Sequence, residues 1–255
     1  MALIIHQTHG CDEAALPRLL RGLRQTVIRC NPQATHLYWS DDALLALLTD
    51  DFPRLLPAFQ SARVGVQRSD LARLALLHRF GGLYVDTDVE GLRPFAAPLV
   101  GGPRLTVAPE PHAQVAALYG PGVYLCNAVM YAPVGDPGVA AALAEVEARW
   151  AALGPAMWSE FDAIGGKLLT WLLAQRPELV DVVLPALCYP LNDLKLTGLP
   201  THSADVAAAS SGRFGRATQA VHWWVHTNFE GRAALLLERH DRAWPFLQEL
   251  YGLGK

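Results

Sequence analysis

The sequence has few charged residues and no excess of basic ones. Of its 255 residues, 18% are charged, with 21 Lys and Arg against 24 Asp and Glu and a net charge of -3. A basic surface that would bind nucleic acid is therefore not expected, and neither is a polybasic segment for an anionic membrane. Hydrophobic residues make up 51% of the chain, which supplies a packed core and excludes a disordered composition.

Cysteines are also few, and long apolar runs are absent. The four cysteines, Cys11, Cys30, Cys126 and Cys188, form no CxxC pair and no zinc-type spacing, so we expect reduced thiols and a cytoplasmic protein. The first residues lack the basic group and long apolar stretch of a signal peptide. The most apolar region, residues 113–144, is interrupted by prolines and glycines, so no transmembrane segment is expected, and peripheral membrane association stays open.

The order of apolar patterns predicts an α/β fold. Strand and helix patterns alternate from the first residues, which favours βαβ units and a mostly parallel sheet. Asp41 or Asp42 is expected to cap the second helix, and Pro17 is tolerated in the first turn of the first. The predicted strands are Ala2 to Gln7, Thr35 to Trp39, Leu83 to Val85, Tyr124 to Tyr131 and Ala220 to Val225; the predicted helices are Glu13 to Arg29, Ala43 to Leu48, Leu71 to Phe80, Val139 to Leu153, Ile164 to Gln175 and Ala243 to Tyr251. Residues 197–220 are polar and are expected to form a loop.

The most informative segment joins a helix, a turn, a strand and two acids. Ser69 is a suitable helix N-cap, and Gly81 is the expected left-handed stop. A short buried strand then runs directly into Asp86-Thr87-Asp88. In open α/β sheets, ligands bind at the carboxyl ends of strands. The two acids are therefore predicted to lie at a ligand-binding edge.

A pair of carboxylates at such an edge suits the transfer of a sugar from a nucleoside diphosphate. The leaving diphosphate carries negative charge, which a hard divalent cation held by carboxylates neutralises. The motif alone is weak, because a solvated turn gives the same pattern. The surrounding order, Ser-Asp-x-x-Arg followed by Gly-Gly-x-Tyr-x-Asp-x-Asp, makes it specific.

The segment SDLARLALLHRFGGLYVDTDVE, residues 69–90, resembles the sugar-binding region of glycosyltransferases that contain a DXD motif. That group includes Och-type mannosyltransferases and capsular-polysaccharide glycosyltransferases, and the glucosylating domains of large bacterial toxins are more distant relatives. Further similar segments are IIHQTHG, HLYWSDD, NAVMYAPVGDP and IGGKLLT. The resemblance is strong over residues 3–95 and patchy from 120 to 225.

The resemblance implies a GT-A fold, which is Rossmann-like, binds a nucleotide-sugar and has a mixed, mostly parallel central sheet flanked by helices. It implies one domain over residues 1–255, with a nucleotide-sugar-binding half (1–95) and an acceptor-side and lid half (96–255). The implied activity is a metal-dependent hexosyl transfer with retention at the anomeric carbon. Mn²⁺ or Mg²⁺ would be the cofactor, a UDP- or GDP-sugar the donor, and a glycan, a glycolipid or a small glycoside the acceptor.

The resemblance also assigns roles to individual residues. Asp86 and Asp88 match the pair that holds the metal and the diphosphate. Asp70 and Arg73 match positions that contact the transferred sugar and its phosphates; they are three residues apart on one helix face, so a local surface salt bridge is the alternative. Asn127 matches an asparagine that contacts the donor, with a strand-end hydrogen bond as the alternative.

Several aromatic and polar residues are assigned with alternatives. Tyr84 would flank the nucleotide, or simply pack in the core. His6 and Gln7 end the first strand near the expected position of the base, where a nucleotide contact and a capping hydrogen bond are equally compatible with the sequence. Trp223 and Trp224 would face opposite sides of a strand; one is expected in the core, and Trp224 is the candidate for a donor contact.

A histidine near the end of the chain is the candidate third metal ligand. His222 fits this position, and imidazole is an acceptable ligand for Mn²⁺. The chain has Thr227-Asn228 where the family has Ser-Trp, so the choice between His222 and His226 stays open.

Two other functions are alternatives to sugar transfer. A haloacid-dehalogenase-type phosphatase also has Asp-x-Asp after a strand, and its first aspartate attacks phosphorus. Such an enzyme needs a downstream lysine and a later acidic pair, whereas this chain has lysines only at 167, 195 and 255 and no Asp-Asp after Asp51. The second alternative is a nucleotide-sugar-binding module that has lost activity.

Overall fold

The computed structural model describes residues 2–159, 163–191 and 215–224. Within these residues the strands are β1 Ile4–Thr8, β2 Thr35–Trp39, β3 Gly82–Val85, β4 Val89–Gly91, β5 Leu105–Pro109, β6 Leu125–Ala132, β7 Val180–Val182 and β8 Ala220–His222. The helices are α1 Arg18–Cys30, α2 Asp41–Asp51, α3 Leu56–Ser61, α4 Gly65–Phe80, α5 His112–Leu118, α6 Pro137–Leu153 and α7 Gly166–Gln175. Short 3-10 turns occupy Glu13–Ala15, Gly154–Ser159, Pro177–Leu179 and Pro185–Leu187.

The central sheet has six strands in the order β2-β1-β3-β6-β5-β7. The pairs β1–β2, β1–β3 and β5–β7 are parallel, whereas β6 pairs antiparallel with both β3 and β5. Five strands therefore run in one direction and β6 alone runs in the other. This confirms the predicted α/β fold with a mixed, mostly parallel sheet, as expected for a GT-A architecture. The end of β3, the end of β5 and the start of β6 share one edge, called here the carboxyl edge.

The two faces of the sheet are covered differently. One face packs against helices α2, α3, α4, α6 and α7 in a large core that includes Leu74, Leu76, Met130 and Leu168. The other face is covered by a second core, in which Ile5 and Leu83 meet Val27 of α1 and Tyr189. Burial of these apolar side chains is the main stabilising contribution to the fold, at about 25 cal/mol per Å².

A second, two-stranded sheet joins β4 to β8 in antiparallel register, with Val89 opposite His222. It rests on α1, because the amide of Gly91 donates to Thr26 Oγ1 at 2.8 Å. A Cβ at Gly91 would lie 2.9 Å from Val27 Cα, so only glycine permits this contact. The small sheet thereby places residues from two distant parts of the chain beside the end of β3.

Two helix starts differ from the predictions. The predicted helix from Glu13 to Arg29 is divided at Pro17 into a 3-10 turn and α1, because Pro17 adopts an extended conformation as the N-cap. Neither Asp41 nor Asp42 caps α2. Ser40 does so, since its side chain accepts a hydrogen bond from the amide of Ala43.

The helix before the acids also begins earlier than predicted. Ser69 lies inside α4, which begins at Gly65 after the extended residue Val64. The apolar face of α4 starts one turn before the Ser-Asp pair, so the serine is a helix-interior residue. The predicted stop is confirmed, because Gly81 ends α4 with a φ of 62°.

Several strands and helices were not predicted from the sequence patterns. The Gly- and Pro-rich region 101–137 contains β5 and α5 as well as the predicted strand, and β7 follows α7. The last predicted strand is shorter than expected and ends at His222. The predicted helix from Ala243 to Tyr251 lies outside the described residues, as does most of the predicted loop 197–220. None of the described helices combines the length and apolar character that a membrane crossing requires.

Candidate active site

The Asp-x-Asp motif forms the turn between β3 and β4 at the carboxyl edge. The amide of Asp86 donates to the carbonyl of Ala128 on β6 at 2.8 Å, which extends the sheet by one residue. The amide of Val89 then donates to the carbonyl of Asp86 at 3.2 Å and closes the turn. Both acids are thus held by backbone hydrogen bonds at the position predicted from the sequence.

A chain of hydroxyl groups leads to the Asp86 carboxylate. The Tyr84 hydroxyl donates to Asp86 Oδ1 at 2.7 Å, and Thr8 Oγ1 lies 2.8 Å from the same hydroxyl. Because the single phenol proton goes to Asp86, Thr8 must donate to Tyr84. Burial raises the pKa of Tyr84 well above its usual value, so the phenol keeps that proton. Tyr84 is therefore both a core residue and a direct partner of the motif.

Arg73 connects the motif to the preceding helix. Its Nη2 lies 3.0 Å from Asp70 Oδ1 and 3.3 Å from Asp86 Oδ1, and its guanidinium stacks over the Tyr84 ring at 4.6 Å. Its Nη1 donates to the carbonyl of Asn127 at 2.6 Å. The side chains of Arg73 and Asp70 are 2% and 5% exposed. The pair thus forms the local salt bridge of the alternative, but it is buried against the end of β3 and not at the surface. A contact with the sugar stays a prediction.

Asp70, Asn127 and Gly165 meet beside this arginine. The Asn127 side-chain amide donates to Asp70 Oδ1 at 2.8 Å. A Cβ at Gly165 would lie 3.0 Å from Asp70 Oδ2 and 3.2 Å from Asn127 Nδ2. Glycine at this position therefore allows the chain before α7 to close directly over the two polar side chains. The structure brings Asp70, Arg73, Asp86 and Asn127 into one connected group.

His222 completes a possible cation site on the other side of the turn. Its Nε2 lies 3.2 Å from Asp88 Oδ1, because β8 places His222 opposite Val89. Asp86, Asp88 and His222 each offer a ligand atom, and these atoms lie within 4.8 Å of one another. Two carboxylates and one imidazole fit a divalent cation such as Mn²⁺ or Mg²⁺, which prefer oxygen ligands, and Mn²⁺ accepts imidazole as well. His226, the other candidate, lies outside the described residues.

The charges at this site perturb each other strongly. Burial raises the pKa of the Asp86 carboxyl, with Asp88 adding to the effect and Arg73 opposing it. Burial lowers the pKa of His222, but the adjacent Asp88 carboxylate more than reverses this, so the pKa of His222 lies well above its usual value. Partly buried acids beside a histidine and an arginine, with pKa values perturbed by each other, are typical of functional sites.

The two tryptophans after β8 do not continue the strand as expected. Trp224 has a φ of 55°, so the pair does not alternate across a strand. Trp224 packs against the His222 ring at 4.2 Å, and its indole donates to the carbonyl of Leu191. The Trp223 amide donates to the carbonyl of Asp88 at 3.1 Å, and its indole donates to Glu90 Oε2 at 3.0 Å. Both tryptophans thus hold the small sheet in place, and a donor contact by Trp224 stays a prediction.

His6 and Gln7 lie on β1, beside the motif strand. The His6 ring is buried, with Nδ1 accepting from the Trp39 indole at 3.3 Å and Nε2 bonded to the carbonyl of Gly81 at 2.9 Å. Indole only donates, so Nε2 carries the proton, and burial lowers the pKa of His6 to about 4. These contacts match the hydrogen-bond alternative. A nucleotide contact stays a prediction, and the His6 ring could hydrogen-bond a nucleotide only by leaving Gly81 or Trp39.

Gln7 supports the motif through the backbone. Its side-chain amide donates to the carbonyl of Asp86 at 3.3 Å, while Arg24 donates to its Oε1 at 2.8 Å. Both ends of the Gln7 amide thus have a protein partner, and a contact with the base stays a prediction.

Three residues of the site were missed in the sequence analysis: Thr8, Glu90 and Gly165. Thr8 and Gly165 lie in segments already similar to the family, IIHQTHG and IGGKLLT, so position within those segments was an available signal. Glu90 lies on β4 and is the last residue of the similar segment 69–90. Its partner Trp223 is distant in sequence, and no local pattern links the two.

Residues 17–105 match the family model described as the glycosyltransferase sugar-binding region containing a DXD motif. This range includes Asp70, Arg73, Asp86 and Asp88. The sugar-binding region predicted from the sequence is therefore confirmed, and the phosphatase alternative finds no support.

Curated relatives match about a third of the chain. Inositol phosphoceramide mannosyltransferase 2 of Schizosaccharomyces pombe is 34% identical over 85 residues, which are 33% of this chain and 24% of that protein. A mannosyl phosphorylinositol ceramide synthase of Saccharomyces cerevisiae is 27% identical over 85 residues, which are 33% of this chain and 22% of that protein. The chain thus spans about a quarter of the length of the curated relatives it matches. Their names agree with the enzyme class predicted from the sequence.

Solved structures of glycosyltransferases are also similar. A crystal structure of a glycosyltransferase involved in the glycosylation of the major capsid of PBCV-1 has 14% sequence identity and a TM-score of 0.48, covering 94% of this chain and 100% of that chain.

Proposed function

We propose that this chain, which carries a glycosyltransferase sugar-binding region, is a metal-dependent glycosyltransferase that moves a hexose from a UDP- or GDP-sugar to an acceptor hydroxyl. The observation that carries the proposal is the joint presence of Asp86, Asp88 and His222 within 4.8 Å at the carboxyl edge. This group lies inside and beside the region that matches the family. Retention at the anomeric carbon is part of the proposal and follows from the resemblance.

Asp86, Asp88 and His222 would hold the divalent cation, Mn²⁺ or Mg²⁺. When bound, the cation would neutralise the negative charge that develops on the leaving diphosphate. The chain itself orients the ligands: Tyr84 and Arg73 fix the Asp86 carboxylate, and the small sheet fixes His222 beside Asp88. Because these partners are held before any ligand arrives, little reorganisation is needed during reaction.

Asp70, Arg73 and Asn127 would receive the transferred sugar. Asp70 accepts hydrogen bonds, and Asn127 donates through its side chain, so together they suit the hydroxyl groups of a hexose. Arg73 lies 3.0 Å from Asp70 and 3.3 Å from Asp86, so its positive charge opposes the rise in the pKa of Asp86 that burial causes. The polar group would thus bind the sugar next to the diphosphate.

The nucleotide would lie toward β1, with His6, Gln7 and Tyr84 near its base. Trp224 would cover the donor from the side of the acceptor half. Residues 1–95 would form the nucleotide-sugar-binding half of a single domain and residues 96–255 the acceptor-side half. The acceptor would be a glycan, a glycolipid or a small glycoside. Because two matched relatives are named for mannosyl transfer to inositol-containing ceramides, a mannosyl donor and a glycolipid acceptor are the first to test.

Thermal unfolding with a panel of nucleotide-sugars, each with Mn²⁺ or with EDTA, tests the proposal. A ligand at 100 times its Kd stabilises the folded state by about 2.7 kcal/mol, which corresponds to a rise in Tm of about 5–10 °C for a chain of this size. We expect one donor to give this rise only with Mn²⁺, and Asp88→Ala to abolish it. Asp50→Ala, which removes an exposed acid on α2, is the matched control and should behave as wild type.

The histidine ligand is tested in the same assay. His222→Ala should remove most of the Mn²⁺-dependent rise, whereas His226→Ala should leave it in place. Full Mn²⁺-dependent turnover by a folded Asp88→Ala would contradict the metal site. Donor binding without transfer or hydrolysis of the donor would favour the alternative of an inactive binding module.

A further inference from the structure

The connection between β5 and β6, residues 110–124, lies at the carboxyl edge and is called here the insertion. The two strands pair up to their ends, with Pro109 opposite Leu125, and the amide of Glu110 donates to the carbonyl of Tyr124 at 2.8 Å. Helix α5 and the loop Tyr119-Gly-Pro-Gly-Val-Tyr124 lie between these closing contacts. Because β5 runs in the same direction as β3, the insertion emerges on the edge that carries the acids.

The loop presents a pair of stacked aromatic rings, called here the tyrosine platform and formed by Tyr119 and Tyr124. Their ring centroids are 4.0 Å apart and their planes differ by 10°. Tyr119 is 50% exposed, although one of its faces is covered by Tyr124. Half of Tyr119 is therefore accessible, and the stacked Tyr124 holds its ring in a defined orientation.

The tyrosine platform adjoins the proposed sugar site through two consecutive glycines. A Cβ at Gly166 would lie 2.7 Å from the Tyr124 ring, and a Cβ at Gly165 would lie 3.0 Å from Asp70 Oδ2. Neighbouring Cα atoms are about 3.8 Å apart, so the Tyr124 ring and the Asp70 carboxylate are separated by at most about 12 Å. The platform thus lies within a short glycan's reach of the position at which the hexose would be transferred.

The order of strands places the platform on the side away from the nucleotide. Gln7 and Thr8 support the motif from β1, on one side of β3, whereas β6 and β5 lie on the other side. A donor that spans β1 and β3 would leave the β5–β6 side to the second substrate. The platform is therefore on the acceptor side of the site.

We propose that the tyrosine platform is an acceptor subsite that binds a pyranose ring by stacking the apolar C–H face of the sugar on Tyr119. Aromatic rings combine a large apolar face with a polar edge, which suits a ligand that is apolar on its faces and polar around its rim. Tyrosine also loses little conformational entropy on binding, and here Tyr124 already holds the ring. This inference rests on the proposed glycosyltransferase function and adds the chemistry by which the acceptor is recognised.

A sugar fits this surface better than a membrane does. No Lys or Arg occurs between Arg104 and Arg149, so the insertion has no basic residue to attract an anionic headgroup. The half-exposed ring of Tyr119 matches the size of a single sugar ring. The aromatic surface is therefore assigned to a glycoside.

Saturation-transfer NMR on the full chain tests the subsite directly. The probes are methyl α-D-mannopyranoside, methyl β-D-galactopyranoside and methyl β-D-glucopyranoside, each with wild type, Tyr119→Ala and Tyr119→Phe. We expect at least one glycoside to bind wild type with its strongest signal at ring C–H protons. Tyr119→Ala should weaken binding about tenfold, and Tyr119→Phe should stay within about twofold, because the stacking face remains. Val123→Ala, an exposed change on the same loop, is the matched control and should bind as wild type.

The outcomes separate this inference from the proposed function. Equal binding by wild type and Tyr119→Ala, or no binding of any probe to wild type, would overturn the subsite. Wild type that sediments with phosphatidylcholine–phosphatidylinositol vesicles through Tyr119, without binding glycosides, would also overturn it and identify a membrane contact. If no nucleotide-sugar raises the Tm of wild type in the presence of Mn²⁺, the proposed function is refuted. The NMR result would still decide whether the tyrosine platform binds sugar.

Discussion

Replacing Glu90 with glutamine removes a buried carboxyl group whose ionised form destabilises the folded state. Glu90 lies on β4, is 4% exposed and accepts a hydrogen bond from the Trp223 indole. Burial raises the pKa of Glu90 to about 7 from its ordinary 4.5, with Trp223 and Arg29 only partly opposing this. Glutamine has the same shape and keeps an oxygen for the Trp223 indole, so the substitution removes the charge with little change in packing.

The magnitude follows from the two pKa values. Each pKa unit corresponds to about 1.4 kcal/mol, so keeping Glu90 ionised in the folded chain costs about 3 kcal/mol once the pH exceeds 7. The unfolded chain releases this proton near pH 4.5 and the folded chain near pH 7, so the wild type loses stability as pH rises through this window. Below pH 4.5 the group is protonated in both states, and the cost disappears.

Urea unfolding in EDTA, followed by tryptophan fluorescence at pH 5 and pH 8, measures the effect. The difference in unfolding free energy between Glu90→Gln and wild type should grow by about 2–3 kcal/mol from pH 5 to pH 8, with glutamine favoured at the higher pH. Other titrating groups are the same in both proteins and cancel in the difference. Glu147→Gln, on the exposed face of α6, should show no such growth. A Glu90→Gln difference that is independent of pH would refute the argument that the carboxylate is buried at a cost.

Two further predictions concern the groups around the motif. Tyr84→Phe should lower the unfolding free energy by about 1.5–3 kcal/mol in urea, because it removes a hydrogen bond to the charged Asp86; a loss below about 0.5 kcal/mol would show that the hydroxyl is not an effective partner. Gly165→Ala should reduce transfer about tenfold with a smaller effect on stability, since the added methyl group displaces Asp70 by a few tenths of an ångström. Gly102→Ala, which meets only side-chain atoms at 3.4 Å or more, should keep the wild-type rate.

Much of the motif strand is predictable because its signals are local. An apolar helix face, a glycine stop at Gly81 and a short apolar run are all contained in residues 67–88, and together they place the acids at a strand end. The spacing of Asp70 and Arg73 likewise predicts that they lie on one helix face. These features depend on neighbours within a turn or a strand, so the sequence contains the information that determines them.

The contacts that make the site are not local and could not be predicted in the same way. Arg73 reaches Asp86 only because α4 packs across the end of β3, and the spacing of Asp70 and Arg73 did not indicate that the pair is buried. The antiparallel placement of β6 between β3 and β5 brings Asn127 to Asp70. Pairing partners and helix packing are set by tertiary structure, which periodicity does not encode.

Local signals were also misleading where several neighbouring residues suit one role. Ser40 precedes Asp41 and Asp42, and all three are good helix caps, so only the observed hydrogen bond to Ala43 distinguishes them. The glycines and prolines of residues 101–137 indicate loops, yet they flank β5 and α5 rather than replace them.

The pairing of β4 with β8 has a consequence for the order of events during folding. His222 lies about 130 residues after Asp88 along the chain, and it reaches that acid only after the intervening strands and helices have found their places. Closing so long a segment is slow in kinetic terms, although its entropic cost grows only with the logarithm of its length. The β1–β3 part of the sheet can therefore assemble first, while the three-ligand site appears last. A cation at the proposed site of Asp86, Asp88 and His222 would bind only the completed fold, and it would therefore stabilise the position of the segment 215–224.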